Sequence, residues 1–136
     1  MTQTEKELLL RDLCARLPYS IKASYYGADE ECETWDEVDG VAFDYVEIGQ
    51  YSLPIERIKP YLFPLSSMTE EQKKYISNKW GINEEFDFEI DPNWGEYFVE
   101  LGDIVDFIDW LNKNHFDYRG LIEKGLAIDA TGLNIY

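Results

Sequence analysis

The sequence predicts an α+β fold with a mostly antiparallel sheet, two amphipathic helices and two or three short helices. Apolar side chains recur at helical spacing in two segments and alternate with a period of two in several others. These patterns interleave without the long strand–helix–strand rhythm of a parallel sheet. With 136 residues and a hydrophobic content of 45%, the chain has enough material for one core. We therefore predict a single domain over residues 1–136.

The two amphipathic helices are predicted over residues 5–17 and 103–113. In the first, leucines fall within one arc until Pro18 ends the helix. In the second, Phe107 and Leu111 share a face opposite three aspartates. A capping box at residues 69–72 predicts a short surface helix that ends near residue 80. Asp117 is placed to cap a last short helix over residues 118–124.

Strand patterns cover residues 20–26, 33–38, 41–48, 86–90, 96–101 and 126–128. The dipeptide Asp39-Gly40 favours the positive φ angles of a two-residue hairpin turn, so we predict a hairpin about it. Apolar alternation changes parity after Tyr45, which predicts a bulge near that residue. Prolines at 54, 60 and 64 indicate a loop or short helical turns.

Acidic residues dominate the charge and are segregated along the chain. The formal net charge is −16, from 28 acids and 12 bases. Residues 23–56 contain ten acids and no Lys or Arg, and residues 80–112 contain another ten with none. Such a surface repels phosphates and anionic membranes, so we expect no direct nucleic-acid binding and no membrane association. A basic protein partner is favoured.

Four tryptophans lie in or beside these acidic segments. An acidic side chain next to an aromatic ring is suited to binding Arg and Lys side chains. The preferred hypothesis is a non-enzymatic accessory protein, such as an antitoxin-like or immunity protein, that binds a basic partner. Its candidate binding residues are Trp35, Asp36, Asp87, Glu89, Asp91, Trp94, Asp103, Asp106 and Trp110.

Two alternatives remain open. The row Asp87, Glu89 and Asp91 repeats every ~6.6 Å along one strand face, which allows a nucleic-acid mimic that inhibits a DNA-binding protein. A small hydrolase-type enzyme would instead need a pocket that collects His115, the one histidine of the chain, with Asp117 and a cysteine.

No metal, cofactor or catalytic residue is predicted. One histidine cannot supply the imidazoles of a usual zinc site, and Cys14 and Cys32 lack a ligand spacing. The run Asp29, Glu31, Glu33 begins like a calcium loop, but Thr34 stands where that loop needs Gly. Two free thiols, no signal peptide pattern and no long apolar run predict a cytoplasmic protein.

Three segments carry a family resemblance: residues 12–25 (DLCARLPYSIKASY), 58–72 (IKPYLFPLSSMTEEQ) and 110–128 (WLNKNHFDYRGLIEKGLAI). They resemble a family of uncharacterised small proteins from gut anaerobic bacteria and from their phages and mobile elements. Residues 29–39 and 82–100 match it less clearly. The resemblance implies a cytoplasmic bacterial origin and an accessory role, and it transfers no catalytic residue.

Overall fold

The computed structural model describes residues 1–26, 33–80 and 101–136. Its helices are α1 (Gln3–Arg16), α2 (Glu70–Trp80) and α3 (Leu101–Lys113). Its strands are β1 (Lys22–Tyr26), β2 (Glu33–Ala42), β3 (Tyr45–Ile48), β4 (Tyr51–Pro54), β5 (Ile58–Leu62) and β6 (Ile128–Asp129). Short 3₁₀ turns follow α1 and β4 and precede α2. The predicted strand at 86–90 and all but the last residue of the one predicted at 96–101 lie outside the described residues; Leu101 begins α3.

In the described part of the chain, the strands form one six-stranded sheet in the order β4-β3-β2-β1-β5-β6. Neighbouring strands are antiparallel except β5 and β6, which are parallel. The predicted α+β fold with a mostly antiparallel sheet is confirmed.

One face of the sheet carries the main core, which α1 covers. Leu9 and Leu13 of α1 are completely buried against aliphatic side chains from β1, β2, β3 and β5. The helix begins with a capping box, in which Thr2 and Glu5 exchange hydrogen bonds of 2.8 and 3.1 Å. Such a box satisfies two amides that the first helical turn leaves unpaired.

A second apolar cluster joins α2 and α3 beyond the end of β5. Phe107 and Leu111 are completely buried there together with Ile76 of α2, as the periodicity of α3 predicts. The predicted capping box of α2 is also present, since Thr69 and Gln72 exchange hydrogen bonds of 2.9 and 3.2 Å.

The predicted turn at Asp39-Gly40 is wrong, because β2 runs through both residues to Ala42. The chain reverses at Phe43 and Asp44, and Phe43 takes a φ of 57°. The bulge lies between Val38 and Gly40 rather than near Tyr45.

This register is explained by burial of the aliphatic side chains. Val38 pairs with Ile48 and Val41 pairs with Val46, so all four stand on the core face. A tight turn at Asp39-Gly40 would leave Val46 and Ile48 on the opposite face, whereas both are completely buried in the structure. Burial of two aliphatic side chains, worth about 3–6 kcal/mol, outweighs the local preference of the dipeptide.

The expectation for the proline-marked segment is confirmed in part. Short helical turns lie at Ile55–Arg57 and Leu65–Ser67, but the segment also holds strands β4 and β5, and Pro60 lies within β5 opposite Ala23. Pairing with β6 starts only at Tyr61, so Pro60 has a described strand neighbour on one side, where proline is tolerated. Residues 118–124 form turns rather than a helix, and the last strand is shifted to Ile128–Asp129.

A buried ion pair connects α1 to the segment after α3. Arg16 is completely buried and donates to Asp12 through Nε and Nη2, at 2.8 and 3.1 Å. Its Nη2 also donates to the Phe116 carbonyl oxygen at 2.7 Å. Arg119 Nε lies 3.4 Å from Asp12, and the Tyr118 ring lies beside both guanidinium groups, at 5.3 and 5.1 Å.

Removal of one partner of this pair should be far more harmful than removal of both. Asp12→Ala leaves Arg16 charged and buried, so we expect a loss of about 3–5 kcal/mol in the free energy of unfolding. The double variant Asp12→Leu/Arg16→Met removes both charges and should lose clearly less. Urea unfolding of the three proteins measures this. A loss below about 1 kcal/mol for Asp12→Ala would contradict the burial of the pair.

The hairpin turn offers a stabilising substitution. Phe43 has a left-handed backbone and is 90% exposed, so its side chain gains little from packing. Asn adopts this conformation more readily. We expect Phe43→Asn to raise the free energy of unfolding by about 0.5–1 kcal/mol in urea titrations. An unchanged or lower value would show that the turn has another conformation.

Candidate functional site

The sheet face opposite α1 is exposed along β2 and β3. Trp35 and Glu37 stand on this face of β2, and the bulge at Asp39 places Tyr45 and Glu47 of β3 on the same side. Trp35 is 46% exposed and Tyr45 50% exposed, and both glutamates are exposed. We call Trp35, Glu37, Tyr45 and Glu47 the open sheet face.

The two acids of the open sheet face have no cationic partner in the described part of the chain. None of the ion pairs there involves Glu37 or Glu47. Ser52 donates a hydrogen bond of 2.8 Å to Glu47. By contrast, Asp44 lies near Lys6: the pKa of Lys6 is raised mainly by its bond to Glu56 and also by Asp44.

Lys22 is the cross-strand neighbour of Glu37, yet its ammonium group is directed elsewhere. Nζ donates to the Ile135 carbonyl oxygen at 2.8 Å. It also lies 5.2 Å from the Trp35 ring centre and 5.6 Å from that of Tyr136. Trp35 therefore already accepts one cation within the protein, which shows that its ring face suits this interaction.

Asp36 points to the other face of β2, toward Tyr25. The Asp36 Oδ2 and the Tyr25 hydroxyl both lie beside Gly49. A Cβ added at Gly49 would stand 2.7 Å from that hydroxyl and 3.4 Å from Oδ2. Burial, and then the charge of Asp36, raise the pKa of Tyr25. Trp35 and Asp36 are thus adjacent in sequence but face opposite ways.

The candidate residues of α3 lie in a different region. Asp106 is exposed and Asp103 is half-buried, each one or two helical turns before Trp110. Trp110 is half-buried in the second apolar cluster, where its ring stacks on Tyr75 at 5.7 Å and on Phe116 at 5.8 Å. This tryptophan packs within the fold.

The described ring partners of Trp110 are Tyr75, Trp80, Phe107 and Phe116, none of which belongs to the open sheet face. Asp87, Glu89, Asp91 and Trp94 lie outside the described residues. Of the predicted binding residues, Trp35 is therefore the one that joins the open sheet face. Glu37, Tyr45 and Glu47 were missed as candidates. For Tyr45 and Glu47, the alternation of residues 45–48 in the sequence indicates exposure.

His115 occupies a strained and buried position after α3. It is 9% exposed, has a φ of 63°, and stacks on Tyr136 with ring centres 3.7 Å apart. Its Nδ1 is buried and has no hydrogen-bond partner among the described residues. Burial, helped by the charges of Arg16 and Lys22, lowers the pKa of His115 to about 4, so its imidazole is neutral at pH 7.

His115 lines a cavity of about 350 Å³, together with residues of the β5 end, α2 and the C-terminal segment. Among the described residues, the groups that a hydrolase would need do not converge there; Cys32 lies outside them. Asp117 accepts hydrogen bonds from the amides of Leu121 and Ile122, at 2.8 and 2.9 Å. Cys14 is exposed as a free thiol and does not line the cavity.

Within residues 1–26, 33–80 and 101–136, no group of three or more His, Cys, Asp or Glu side chains could hold a metal ion. The helices in these same ranges are all too short or too polar to cross a lipid bilayer.

No protein-family model, curated protein or solved structure matches this chain. The resemblance to small proteins of gut anaerobic bacteria therefore stays a prediction, and the site must be interpreted from its own geometry.

The low pKa of His115 predicts a pH-dependent contribution to stability. The unfolded imidazole binds a proton near pH 6.5, whereas the folded one resists protonation to about pH 4. The unfolded state therefore binds more protons in this window, and stability falls as the pH is lowered from 6.5 through 4. Asn tolerates positive φ and does not titrate, so His115→Asn should show a shallower fall.

Urea titrations of both proteins at several pH values between 4 and 7 measure the difference. Carboxylates titrate equally in the two proteins, so the difference isolates His115. Parallel stability curves would show that the imidazole has an ordinary pKa in the folded state.

Proposed function

We propose that this protein is a non-enzymatic accessory protein that binds a basic protein partner through the open sheet face. The observation that supports this most is the exposure of Trp35 and Tyr45 beside two carboxylates without described ion pairs. Exposed aromatic rings interleaved with acids are suited to Arg and Lys side chains, which need both a ring face and a counter-charge.

The composition of the surrounding strands supports the same proposal. Residues 33–54 contain six acids and no Lys or Arg, so the cation that lies over the Trp35 ring, Lys22, comes from the neighbouring strand β1. Over the whole chain, the net charge of −16 attracts a basic partner from a distance and speeds association.

The location of the face also favours a protein partner. It belongs to a sheet whose other side is fixed by the buried core under α1, so its side chains are held on rigid elements. The β4 strand next to it is at the edge of the described sheet, where an extended segment of a partner can add further backbone contacts.

A charge-matched pair of variants tests the proposal. Glu37→Gln/Glu47→Gln removes two charges from the open sheet face, and Glu71→Gln/Glu123→Gln removes two exposed charges elsewhere. Binding of an arginine-rich peptide is measured by calorimetry. We expect the first variant to weaken binding several-fold more than the second, and Trp35→Ala to cost about 0.5–2 kcal/mol.

Salt and partner capture complete this test. Raising the ionic strength from about 0.05 to about 0.5 M should weaken binding of the wild type strongly. Immobilised wild type should retain basic proteins that the Glu37→Gln/Glu47→Gln protein does not retain. Equal losses in the two double variants, or equal capture by all three proteins, would reject the open sheet face as the binding site.

A further inference from the structure

The cavity beside His115 has a lining unlike the rest of this acidic protein. It lies where the end of β5, the start of α2, the end of α3 and the C-terminal residue meet. No Asp or Glu side chain lines it in the described part of the chain, and Lys113 is the one Lys or Arg side chain there. With about 350 Å³, it falls within the size range of small-molecule sites.

Aromatic rings form one wall of the cavity. Phe63 contacts the ring of Tyr136 at 5.9 Å and that of Phe116 at 6.4 Å, and His115 stacks on Tyr136. These rings are held in place by backbone bonds, because Phe63 donates to the His115 carbonyl oxygen and accepts from the Asp117 amide, both at 2.8 Å. A planar ring is the shape that packs best against such a wall.

The polar side of the cavity supplies hydrogen-bonding groups and one charge. Thr69 and Gln72 line it, but their side-chain oxygens are used in the capping box of α2. Lys113 is exposed, and none of the ion pairs in the described ranges includes it. Its ammonium group is therefore available to a carboxylate.

His115 adds a second reason to expect a ligand. A buried imidazole nitrogen without a partner costs free energy. A hydrogen-bond donor recovers that cost when the atoms that cover Nδ1 move aside. The left-handed backbone of a buried, non-glycine residue is a strain of the kind that clusters at binding sites. Both features coincide at a residue that lines the cavity.

We infer that this cavity binds a small aromatic carboxylate that carries a hydroxyl or N–H donor on its ring. The ring packs on the wall of Phe63 and Tyr136, the carboxylate pairs with Lys113, and the donor approaches His115. Lys22 lies between this site and the open sheet face, because its ammonium group is near the rings of both Tyr136 and Trp35. The inference rests on the residues of the cavity and does not depend on the proposed partner binding.

The probe for this inference is 4-hydroxybenzoate, with 4-methylphenol as the matched compound that lacks the carboxylate. His115 is the one histidine of the chain, so its ring signals in ¹⁵N-edited NMR spectra are unambiguous. We expect 4-hydroxybenzoate to shift them saturably with a Kd of about 1 mM or below. The phenol should bind at least about tenfold more weakly, because it cannot pair with Lys113.

A pair of lysine variants separates this site from general charge attraction. Lys113→Gln should weaken 4-hydroxybenzoate binding about tenfold, whereas Lys124→Gln, at another exposed lysine, should leave it within about twofold. The compound pair needs no substitution and so remains decisive if a variant misfolds. No saturable shift up to about 10 mM, equal binding of the phenol, or equal effects of the two variants would overturn the inference.

Discussion

The buried pair of Asp12 and Arg16 is the constraint on which most of the fold depends. A completely buried guanidinium is costly unless its charge is matched. Asp12 matches the charge of Arg16, and Asp12 and the Phe116 carbonyl oxygen accept from Nε and Nη2, whereas Nη1 is buried without a hydrogen-bond partner. The pair thereby ties α1 to the turn after α3. Two residues of this turn, His115 and Asp117, form backbone hydrogen bonds with Phe63 just after β5. These bonds place His115 at the cavity.

The same arrangement makes the surface more acidic than the composition implies. Arg16 is withdrawn into the interior, Arg119 is held by Asp12, and Lys22 is held by the Ile135 carbonyl oxygen. A chain with few cations uses several of them for internal contacts, so fewer remain to neutralise the outside. The exposed carboxylates of β2 and β3 owe their unpaired state partly to this internal use.

The sequence predicted the fold class and helices α1, α2 and α3, because the buried stripe of α3 and the capping box of α2 are local patterns. It failed where distant pairing decided the structure. Asp39-Gly40 favours a turn locally, yet the burial of Val46 and Ile48 moved the turn to Phe43. Among the residues of the open sheet face, Trp35 was predicted from the sequence, because it lies within an acidic segment. The cavity at His115 depends on residues 63–136 meeting in space, which spacing alone does not reveal.

The bulge at Asp39 also restricts how the β2–β3 hairpin can change in length. Side chains alternate between the two faces of the sheet with a period of two. Insertion or deletion of one residue beyond the bulge therefore moves the core-facing side chains to the open face and the exposed ones to the core. Aliphatic side chains would then meet water, and the aromatic ones would turn inward. A change in the length of this hairpin therefore preserves its two faces when it comes in steps of two residues, or when the bulge itself is gained or lost.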